Sequence, residues 1–399
     1  MESLLPKIKL LSRELAESTI SYRRHLHQHP ELSFQEHQTA RFVSETLTSF
    51  GLSPQTGVAD TGVTALSEGK KPSSKVVALR ADMDALPILE ANDVPYKSKN
   101  EGVMHACGHD VHTASLLGAA GILQQLRDEF EGTVKLVFQP GEERFPGGAS
   151  LMIKEGVLQN PTPQAMLGQH VLPFLPAGKV GFREGMYMAS ADEIYLTVRG
   201  KGGHAAMPDS NIDPVMITAQ LLVTLQQVVS RTANPKIPSV LSFGKVIAQG
   251  ATNVIPNEVH LEGTFRTLNE EWRHQAHQRI KDIAHSICSG LGGSCDVDIK
   301  VGYPFLQNNP ELTRRSKQLA TDYLGEENVV DLDLWMAAED FAYYTHHVDA
   351  CFYRLGTGNE ARGINSSVHT PTFDIDEHAL EIGPGLMAWL AVAELDSEV

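Results

Sequence analysis

The sequence has 399 residues, of which 42% are hydrophobic and 21% are charged, a composition typical of a globular protein with more than one domain. The formal net charge of −16 at pH 7 argues against nucleic acid or an anionic membrane surface as the main partner. Four cysteines in so long a chain are not a disulfide framework, and no apolar run approaches a membrane span. The first twenty residues follow an amphipathic helical pattern rather than a signal-peptide pattern, so we expect a cytoplasmic protein.

Strands and helices alternate in the first part of the chain. After helices predicted over residues 5–28 and 36–50, apolar strands are predicted at 75–80, 133–138 and 165–170, with helices between them. This order predicts an α/β fold with a mixed, largely parallel sheet sandwiched by helices. Ligands bind outside the carboxyl ends of strands in such sheets, so we expect the site there. The polar residues at these strand ends are Asp82, Glu142, Glu143 and His170.

The pattern changes after about residue 185. The predicted elements are then a strand at 192–200, a helix at 214–231, strands at 239–247 and 258–267, a helix at 271–289 and a strand at 295–301. Strand, helix, strand, strand, helix, strand is the ferredoxin-like βαββαβ order. We therefore expect residues 186–302 to form a domain inserted into a first domain made of residues 1–185 and 303–399.

One run of eight residues, from His105 to His112, contains three imidazoles, one thiol and one carboxylate. These are the ligand types that zinc and similar divalent ions take. The run enters a helix predicted from Thr113, with Asp110 as its N-cap. The alternative is a polar loop whose histidines only form caps and hydrogen bonds, and we favour metal binding.

Two adjacent acids, Glu142 and Glu143, follow a Pro-Gly turn at a strand end. Neighbouring side chains diverge, so one carboxylate can bind a metal while the other acts as a general base. The alternative is a solvated acidic turn. The placement after a strand that reads as buried favours the catalytic interpretation.

His170 and His369 would each be read, in isolation, as an ordinary core or loop histidine. Together with Cys107, His109 and Glu143 they make five ligands, which is too many for one closed site and suits two ions that share a bridging water. His105 and His112 are then left as residues that support the ligands.

Four stretches carry a resemblance to a known family: Arg-Ala-Asp-Met-Asp-Ala-Leu-Pro-Ile at 80–88, His-Ala-Cys-Gly-His-Asp at 105–110, Gln-Pro-Gly-Glu-Glu at 139–143 and Gly-Lys-Gly-Gly-His-Ala-Ala-Met-Pro at 200–208. The chain resembles the N-acyl-amino-acid amidohydrolases, the branch of the dinuclear metallo-carboxypeptidase family that holds aminoacylases, hippurate hydrolases and indoleacetyl-amino-acid hydrolases. The resemblance runs from about Arg23 to His378. It implies a catalytic domain, an inserted ferredoxin-like lid that dimerises, two divalent metal ions, and hydrolysis of an N-acyl amino acid to a carboxylic acid and a free amino acid.

The resemblance also implies roles for individual residues. The implied metal ligands are Cys107, His109, Glu143, His170 and His369. Glu142 is implied as the base, and Asp82 matches an acid near the metals. Because Arg80 stands where relatives have a metal-binding histidine, zinc, manganese, cobalt and nickel all stay candidates.

Within the inserted domain, the resemblance implies that His204 reaches a partner subunit's site and stabilises the developing oxyanion. Asn253 and Arg266 match positions that contact the substrate amide and carboxylate, and arginine binds carboxylates bidentately. The alternatives are a strand-end turn for His204 and an exposed strand charge for Arg266.

We thus expect a small-molecule N-acyl amino acid as substrate and a second copy of the chain as partner, in a dimer or a tetramer. A metallo-dipeptidase or carboxypeptidase, and a non-catalytic metal-binding sensor, are the alternative functions. The sequence does not reveal the acyl group or the amino-acid side chain.

Overall fold

The computed structural model of the protein describes residues 4–397. The α-helices in this range are α1 (Leu4–Glu14), α2 (Ala16–Gln28), α3 (His37–Ser49), α4 (His109–Gln125), α5 (Gly148–Lys154), α6 (Pro214–Leu225), α7 (Glu270–Gly290), α8 (Pro310–Leu324), α9 (Ala342–Thr345) and α10 (Ala379–Asp396). The strands are β1 (Gln55–Val58), β2 (Gly62–Glu68), β3 (Val76–Asp82), β4 (Thr133–Gln139), β5 (Ala165–Pro176), β6 (Val180–Phe182), β7 (Gly185–Met188), β8 (Asp192–Arg199), β9 (Gly203–His204), β10 (Ser239–Ile247), β11 (Val254–Ile255), β12 (Glu258–Thr267), β13 (Ser294–Val301), β14 (Leu306–Asn308), β15 (Val329–Asp331) and β16 (Asp349–Gly358).

The chain divides into two compact units. The first comprises the chain up to Gly185, the segment Gln307–Asp333 and the chain from Asp340 onward. The second comprises Met186–Leu306 and Leu334–Glu339.

An eight-stranded sheet, in the order β1-β2-β4-β3-β5-β16-β6-β15, forms the centre of the first unit. Its four middle strands, β4, β3, β5 and β16, run parallel, and antiparallel pairs join β1, β2 and β6 to them. The strands β3 and β4 are buried along their whole length, as is typical of parallel strands covered on both faces. The expected mixed, largely parallel α/β sheet is confirmed.

The register of this sheet brings the polar strand ends to one edge. Asp82 at the end of β3 is level with Gln139 at the end of β4, and His170 on β5 is level with Arg354 on β16. Asp82 and the end of β4 therefore lie at one edge of the sheet. The strand predicted at 165–170 is longer than expected, since β5 continues to Pro176, and His170 lies within it.

Helix α4 carries the His/Cys run to that edge, but it starts earlier than predicted. It begins at His109, directly after Gly108, whose φ of 82° is left-handed. A Cβ atom on Gly108 would lie 2.6 Å from a methyl carbon of Val171, so only glycine fits there. Asp110 is consequently a residue of the first helical turn, and its prediction as the N-cap was wrong.

The core of the first unit lies between the sheet and two helices that are buried almost all round. Every residue of α4 from His109 to Leu123 is buried, and so is every residue of α10 from Gly383 to Leu395. The helices pack against each other and against β3. The single helix predicted over residues 5–28 is in fact two helices, which are separated at Leu15.

The second unit contains a four-stranded antiparallel sheet in the order β10-β12-β8-β13. Helices α6 and α7 pack together against one face, over a core that includes Ile194, Leu221 and Ile280. The element order β8-α6-β10-β12-α7-β13 is the ferredoxin-like arrangement. Among the described residues, no helix combines the length and apolar character needed to cross a bilayer.

Candidate metal centre

Cys107 is buried and lies between potential metal-ligand side chains, of which His109 and His170 are buried, Glu143 is partly buried and His369 is exposed. Sγ of Cys107 is 3.5 Å from Nε2 of His170 and 3.3 Å from Nε2 of His369. Ligand atoms of Cys107, His109 and His170 lie within 4.8 Å of one another, and the same holds for Cys107, Glu143 and His369. The five side chains predicted as ligands thus form two groups that share the Cys107 thiol.

The spacing of these atoms fits ligands that converge on an ion. With metal–sulfur and metal–nitrogen bonds of about 2.3 and 2.1 Å, two tetrahedral ligands are separated by roughly 3.6 Å. The Cys107–His170 and Cys107–His369 separations are close to that value.

The ring of His109 is oriented for binding by Asp84. Nδ1 of His109 lies 3.1 Å from Oδ1 of Asp84, while the buried Nε2 has no hydrogen-bond partner among residues 4–397. Nε2 instead lies 3.6 Å from Asp82 and 4.0 Å from Glu143. Burial alone would favour the neutral ring, but the carboxylates of Asp82 and Asp84 outweigh it and raise the pKa of His109 to about 10. A buried nitrogen beside several carboxylates is a site that a cation can fill.

His170 is oriented in a similar way by the backbone. Its Nδ1 donates to the carbonyl oxygen of Val171 at 2.8 Å, so the lone pair of Nε2 faces the Cys107 thiol. Burial, reinforced by the charge of Arg354, lowers the pKa of His170 well below its ordinary value. A neutral imidazole fixed by a backbone acceptor is the form that binds metals.

The thiol of Cys107 needs a cation to be a thiolate. Burial and the nearby carboxylates of Glu143, Glu142 and Asp82 raise its pKa well above the ordinary value. A bound cation would reverse this balance, because metal ligation deprotonates thiols. The donor set therefore fits a divalent ion with affinity for sulfur and nitrogen.

Asp84 also positions the two adjacent glutamates. Its Oδ1 accepts the backbone N–H of Glu142, and its Oδ2 accepts that of Glu143, each at 3.0 Å. The hydroxyl of Ser33 donates to Oδ2 at 2.6 Å. Asp84 lies in the motif at residues 80–88, but the sequence pattern gave no reason to assign it a role different from that of Asp82.

Asp82 is wholly buried and engaged on both carboxylate oxygens. Arg80 donates to Oδ2 at 2.7 Å, and Nδ1 of His112 lies 2.5 Å from Oδ1. The other ring nitrogen of His112 accepts the backbone N–H of Val171 at 2.9 Å, so the neutral ring carries its proton on Nδ1. Burial would raise the pKa of Asp82, but Arg80 and the histidines hold it well below the ordinary value.

Arg80 connects this carboxylate to a second one that the sequence did not reveal. Its Nη2 donates to Asp340 at 2.8 Å, and its Nε donates to Gln139 at 2.9 Å. Asp340 also accepts hydrogen bonds from Gln139 and from the backbone N–H of Ala149. Asp340 is distant in sequence from the motifs, and no spacing rule links it to them.

Of the two histidines expected to support the ligands, His112 does so and His105 does not. His105 is 1% exposed, and neither ring nitrogen has a hydrogen-bond partner in the described part of the chain. Burial lowers the pKa of His105 to about 4, so the ring is neutral at pH 7.

Two predicted residues of the second unit lie beside each other. His204 on β9 pairs with Val254 on β11, and the carbonyl of Asn253 accepts the backbone N–H of Ala205 at 3.1 Å. Both side chains are exposed. Nδ1 of His204 accepts the N–H of Ala206 at 3.1 Å, which leaves Nε2 as the donor of the neutral ring.

Arg266 lies on β12 and is half-buried. Its Nε donates to the hydroxyl of Thr264 at 3.2 Å. Burial lowers the pKa of Arg266, an effect that Asp192 and Glu193 partly oppose. A negatively charged partner would stabilise the half-buried guanidinium of Arg266.

A cysteine, three histidines and a glutamate whose ligand atoms lie close together, with a second glutamate adjacent, are donor types found in the sites of metallo-hydrolases. The sequence comparison agrees with this class. The chain matches the model of peptidase family M20/M25/M40 over residues 78–392, and it belongs to that family.

Individual relatives span about three quarters of the chain or more. An N-acyl-L-amino acid amidohydrolase of Geobacillus stearothermophilus is 46% identical over 74% of this chain and 80% of its own. Thermostable carboxypeptidase 2 of Saccharolobus solfataricus is 37% identical over 98% of both chains. The crystal structure of Bacillus subtilis YxeP, described as a dinuclear metal-binding peptidase of the M20 family, superposes with a TM-score of 0.83 at 34% identity, over 97% of this chain and 100% of YxeP.

Proposed function

We propose that this protein is a metal-dependent amidohydrolase that cleaves N-acyl L-amino acids to a carboxylic acid and a free amino acid. The observation that carries the proposal is the Cys107 thiol shared by two ligand groups, with Glu142 directly beside the ligand Glu143. The similarity to an N-acyl-L-amino acid amidohydrolase supports the class of substrate.

Two divalent ions would be held by the two groups, one by Cys107, His109 and His170 and the other by Cys107, Glu143 and His369. When bound, such ions supply Lewis acidity toward the amide carbonyl and make a water molecule acidic enough to attack at neutral pH. Zinc, cobalt and nickel suit the nitrogen and sulfur donors, manganese suits the carboxylate donors, and metal analysis of the purified protein distinguishes the four.

Glu142 is the residue that we assign to proton transfer. Its side chain is 7% exposed, its backbone is fixed by Asp84, and the N–H of Asp340 lies 3.4 Å from Oε1. A carboxylate oxygen of Glu142 falls in one cluster with ligand atoms of His109 and Glu143. In the reaction it takes the proton from the attacking water and returns it to the leaving nitrogen, which breaks the amide bond.

We assign Asp82 a positioning role. Both of its carboxylate oxygens are engaged by Arg80 and His112, and Asp82 is fully buried. It orients His112, whose Nε2 accepts the N–H of Val171, next to the ligand His170. The general base is thus Glu142 alone.

Residues of the second unit complete the proposal. Nε2–H of His204 would donate to the oxyanion that develops on the substrate carbonyl of a partner subunit. Asn253, adjacent to His204, would bind the amide group, and Arg266 would bind the free carboxylate through its two-pronged guanidinium. The second unit would then act as the lid that excludes water.

We infer a homodimer formed through the second unit. Helix α6 contains no charged residue and exposes Val215, Met216 and Val223, and β10 is an edge strand of its sheet. Apolar exposure and an unpaired edge are typical of surfaces that another copy covers.

Mixing two inactive variants tests the crossing of His204. Glu142→Gln and His204→Ala chains, unfolded and refolded together, should regain up to about half of the wild-type activity per mixed dimer, because one of its two sites receives both intact residues. Activity that stays at the level of the separate variants would contradict the assignment of His204 to the partner's site.

A carboxypeptidase is the second candidate, because a relative of that name matches 98% of this chain. A panel of N-acetyl and N-benzoyl amino acids, unblocked dipeptides and N-blocked dipeptides, assayed for free amine on metal-reconstituted protein, separates the two. Preference for acylated amino acids supports the amidohydrolase, and preference for peptides supports the carboxypeptidase. A non-catalytic sensor would release no amine from any of them, but such a protein has no need of both Glu142 and five ligands.

The protein is expected in the cytoplasm. All four cysteines are buried and unpaired with one another in disulfides, as is usual in a reducing compartment.

A further inference from the structure

Arg23, on helix α2, joins two segments of the metal site that are far apart in sequence. The residue is fully buried. Its Nε donates to Oδ2 of Asp110 at 2.8 Å, and its Nη2 donates to Oδ1 of Asp374 at 3.1 Å. One guanidinium therefore binds two carboxylates. Arginine suits this arrangement because its planar guanidinium has five N–H donors.

Each of these carboxylates belongs to a segment that carries ligands. Asp110 directly follows His109 in the first turn of α4. Asp374 follows His369 by five residues, in the segment that leads to α10. The two segments also meet through their backbones, since the N–H of His369 donates to the carbonyl of Ala106 at 2.7 Å.

The backbone conformation of His369 indicates that contacts with other parts of the chain stabilise its segment. Its φ of 62° lies in the left-handed region, which is unfavourable for a residue other than glycine. A conformation of this kind persists only where surrounding contacts fix it. Asp374 supplies such contacts, because its second oxygen also accepts the hydroxyl hydrogen of Tyr96 at 2.9 Å.

The other ligand group does not depend on Asp374. His170 lies on β5 within the central sheet, and its ring is fixed by the carbonyl of Val171. The ring of His109 is fixed by Asp84. Loss of the contact between Arg23 and Asp374 should therefore affect the two groups unequally.

We propose that Arg23, through Asp374, is a positioning residue that holds the His369 segment against the Cys107–His109 segment and so sets the affinity for the ion bound by Cys107, Glu143 and His369. This inference rests on the proposed two-metal site. Removing the contact should weaken the binding of one ion and leave the other unchanged.

The test is a Zn²⁺ titration of metal-stripped full-length protein, followed by calorimetry and by elemental analysis of the bound metal. Asp374→Ala removes the hydrogen bond from Arg23 to Asp374 and leaves Arg23 paired with Asp110. Supporting partners of metal ligands are typically worth about 10- to 100-fold in metal affinity. We expect a loss of that size for one of two Zn²⁺ ions, unchanged affinity for the other, and activity that returns when Zn²⁺ is raised.

Asp376→Ala is the matched control. Asp376 lies two residues away in the same segment, but its side chain accepts hydrogen bonds from Asn359 and Arg362 and not from Arg23. The control should bind both ions as the wild type does.

Four results would overturn the inference. Wild-type affinity for both ions in Asp374→Ala would show that the contact does not position His369. Equal weakening of both ions, or the same loss in Asp376→Ala, would indicate a general structural role. If the wild type itself bound fewer than two ions, the two-metal proposal would fail and this inference with it, so the two failures are distinguishable.

Discussion

The carboxylate of Asp84 lies 3.1 Å from Nδ1 of His109, and this contact decides which nitrogen of the ring faces the ligand group. The same carboxylate accepts the backbone N–H groups of Glu142 and Glu143. A single buried side chain thus orients one proposed ligand and the segment that carries the proposed base.

Asp84→Asn tests this relationship. The amide oxygen can still accept the hydrogen bonds made to one carboxylate oxygen, but the negative charge beside His109 is lost, and the amide NH₂ group cannot accept the remaining backbone N–H. We expect metal affinity to fall by about 10- to 100-fold, the range typical for such supporting partners. Metal titration of the variant measures it, with Ser33→Ala, which removes only a neutral donor to the same carboxylate, as the milder comparison. Unchanged affinity in Asp84→Asn would refute the positioning role.

Glu142→Gln should separate catalysis from metal binding. Glutamine keeps the size of the side chain but cannot accept a proton, so kcat should fall by about 10²- to 10⁴-fold. Because Glu142 is outside the two groups that share Cys107, the metal content should stay at the wild-type level. Steady-state kinetics and metal analysis on the same sample check both points.

Glu143→Gln is the companion variant, and it should lose metal as well as activity. A Glu142→Gln protein with wild-type kcat would mean that another group takes the proton.

The central sheet could be predicted from the sequence because it depends on short-range patterns. The apolar strand that ends in Asp82 and the one that precedes Glu142 and Glu143 run parallel, so their ends lie at one edge. The clustering of Cys107 with His170 and His369 is observed, and their role as metal ligands stays a prediction.

The supporting contacts could not be predicted, since they join residues with no sequence relationship. Arg80 and Asp340 are one example, and Arg23 and Asp110 are another. The start of α4 was misplaced for a similar reason: the close packing of Val171 against Gly108 determines it, and local capping rules contain no information about Val171. Asp110 could serve as a cap by sequence, but tertiary pairing with a buried arginine overrides that preference.

Arg266 provides a test of substrate binding. We expect Arg266→Lys to raise KM by about 10- to 100-fold for an N-acetyl amino acid, since hydrogen bonds to a charged group contribute about 1.5–3 kcal/mol. For the matching carboxamide, which has no negative charge to bind, KM should hardly change. Arg199→Lys, at an exposed arginine of the same sheet that pairs with Glu258 and Asp296, is the control. An equal effect on both substrates would contradict carboxylate recognition by Arg266.

Glu36 should make the protein less stable as the pH rises toward neutrality. Burial, together with the nearby charge of Asp84, raises the pKa of Glu36 from 4.5 to about 7, although Thr61 and the N–H of Gly141 donate to it. The folded state therefore holds this proton between about pH 4.5 and 7 while the unfolded state releases it, so the free energy of unfolding falls with pH across that window. Across this window the free energy of unfolding falls by about 3 kcal/mol, and the fall is complete above about pH 7.

Glu36→Gln removes the titrating group and keeps an acceptor for Gly141. Denaturant unfolding of the wild type and the variant at pH 5 and pH 8 should show the variant gaining stability relative to the wild type at the higher pH. Parallel changes in both proteins would mean that Glu36 is not the group responsible.

The most direct test of the account is anomalous diffraction from crystals of protein loaded with Zn²⁺ or Mn²⁺, collected at the absorption edge of the metal. We predict two peaks per chain, one next to Cys107, His109 and His170 and the other next to Cys107, Glu143 and His369. A single peak, or two peaks of which neither contacts Cys107, would contradict the shared-thiol centre.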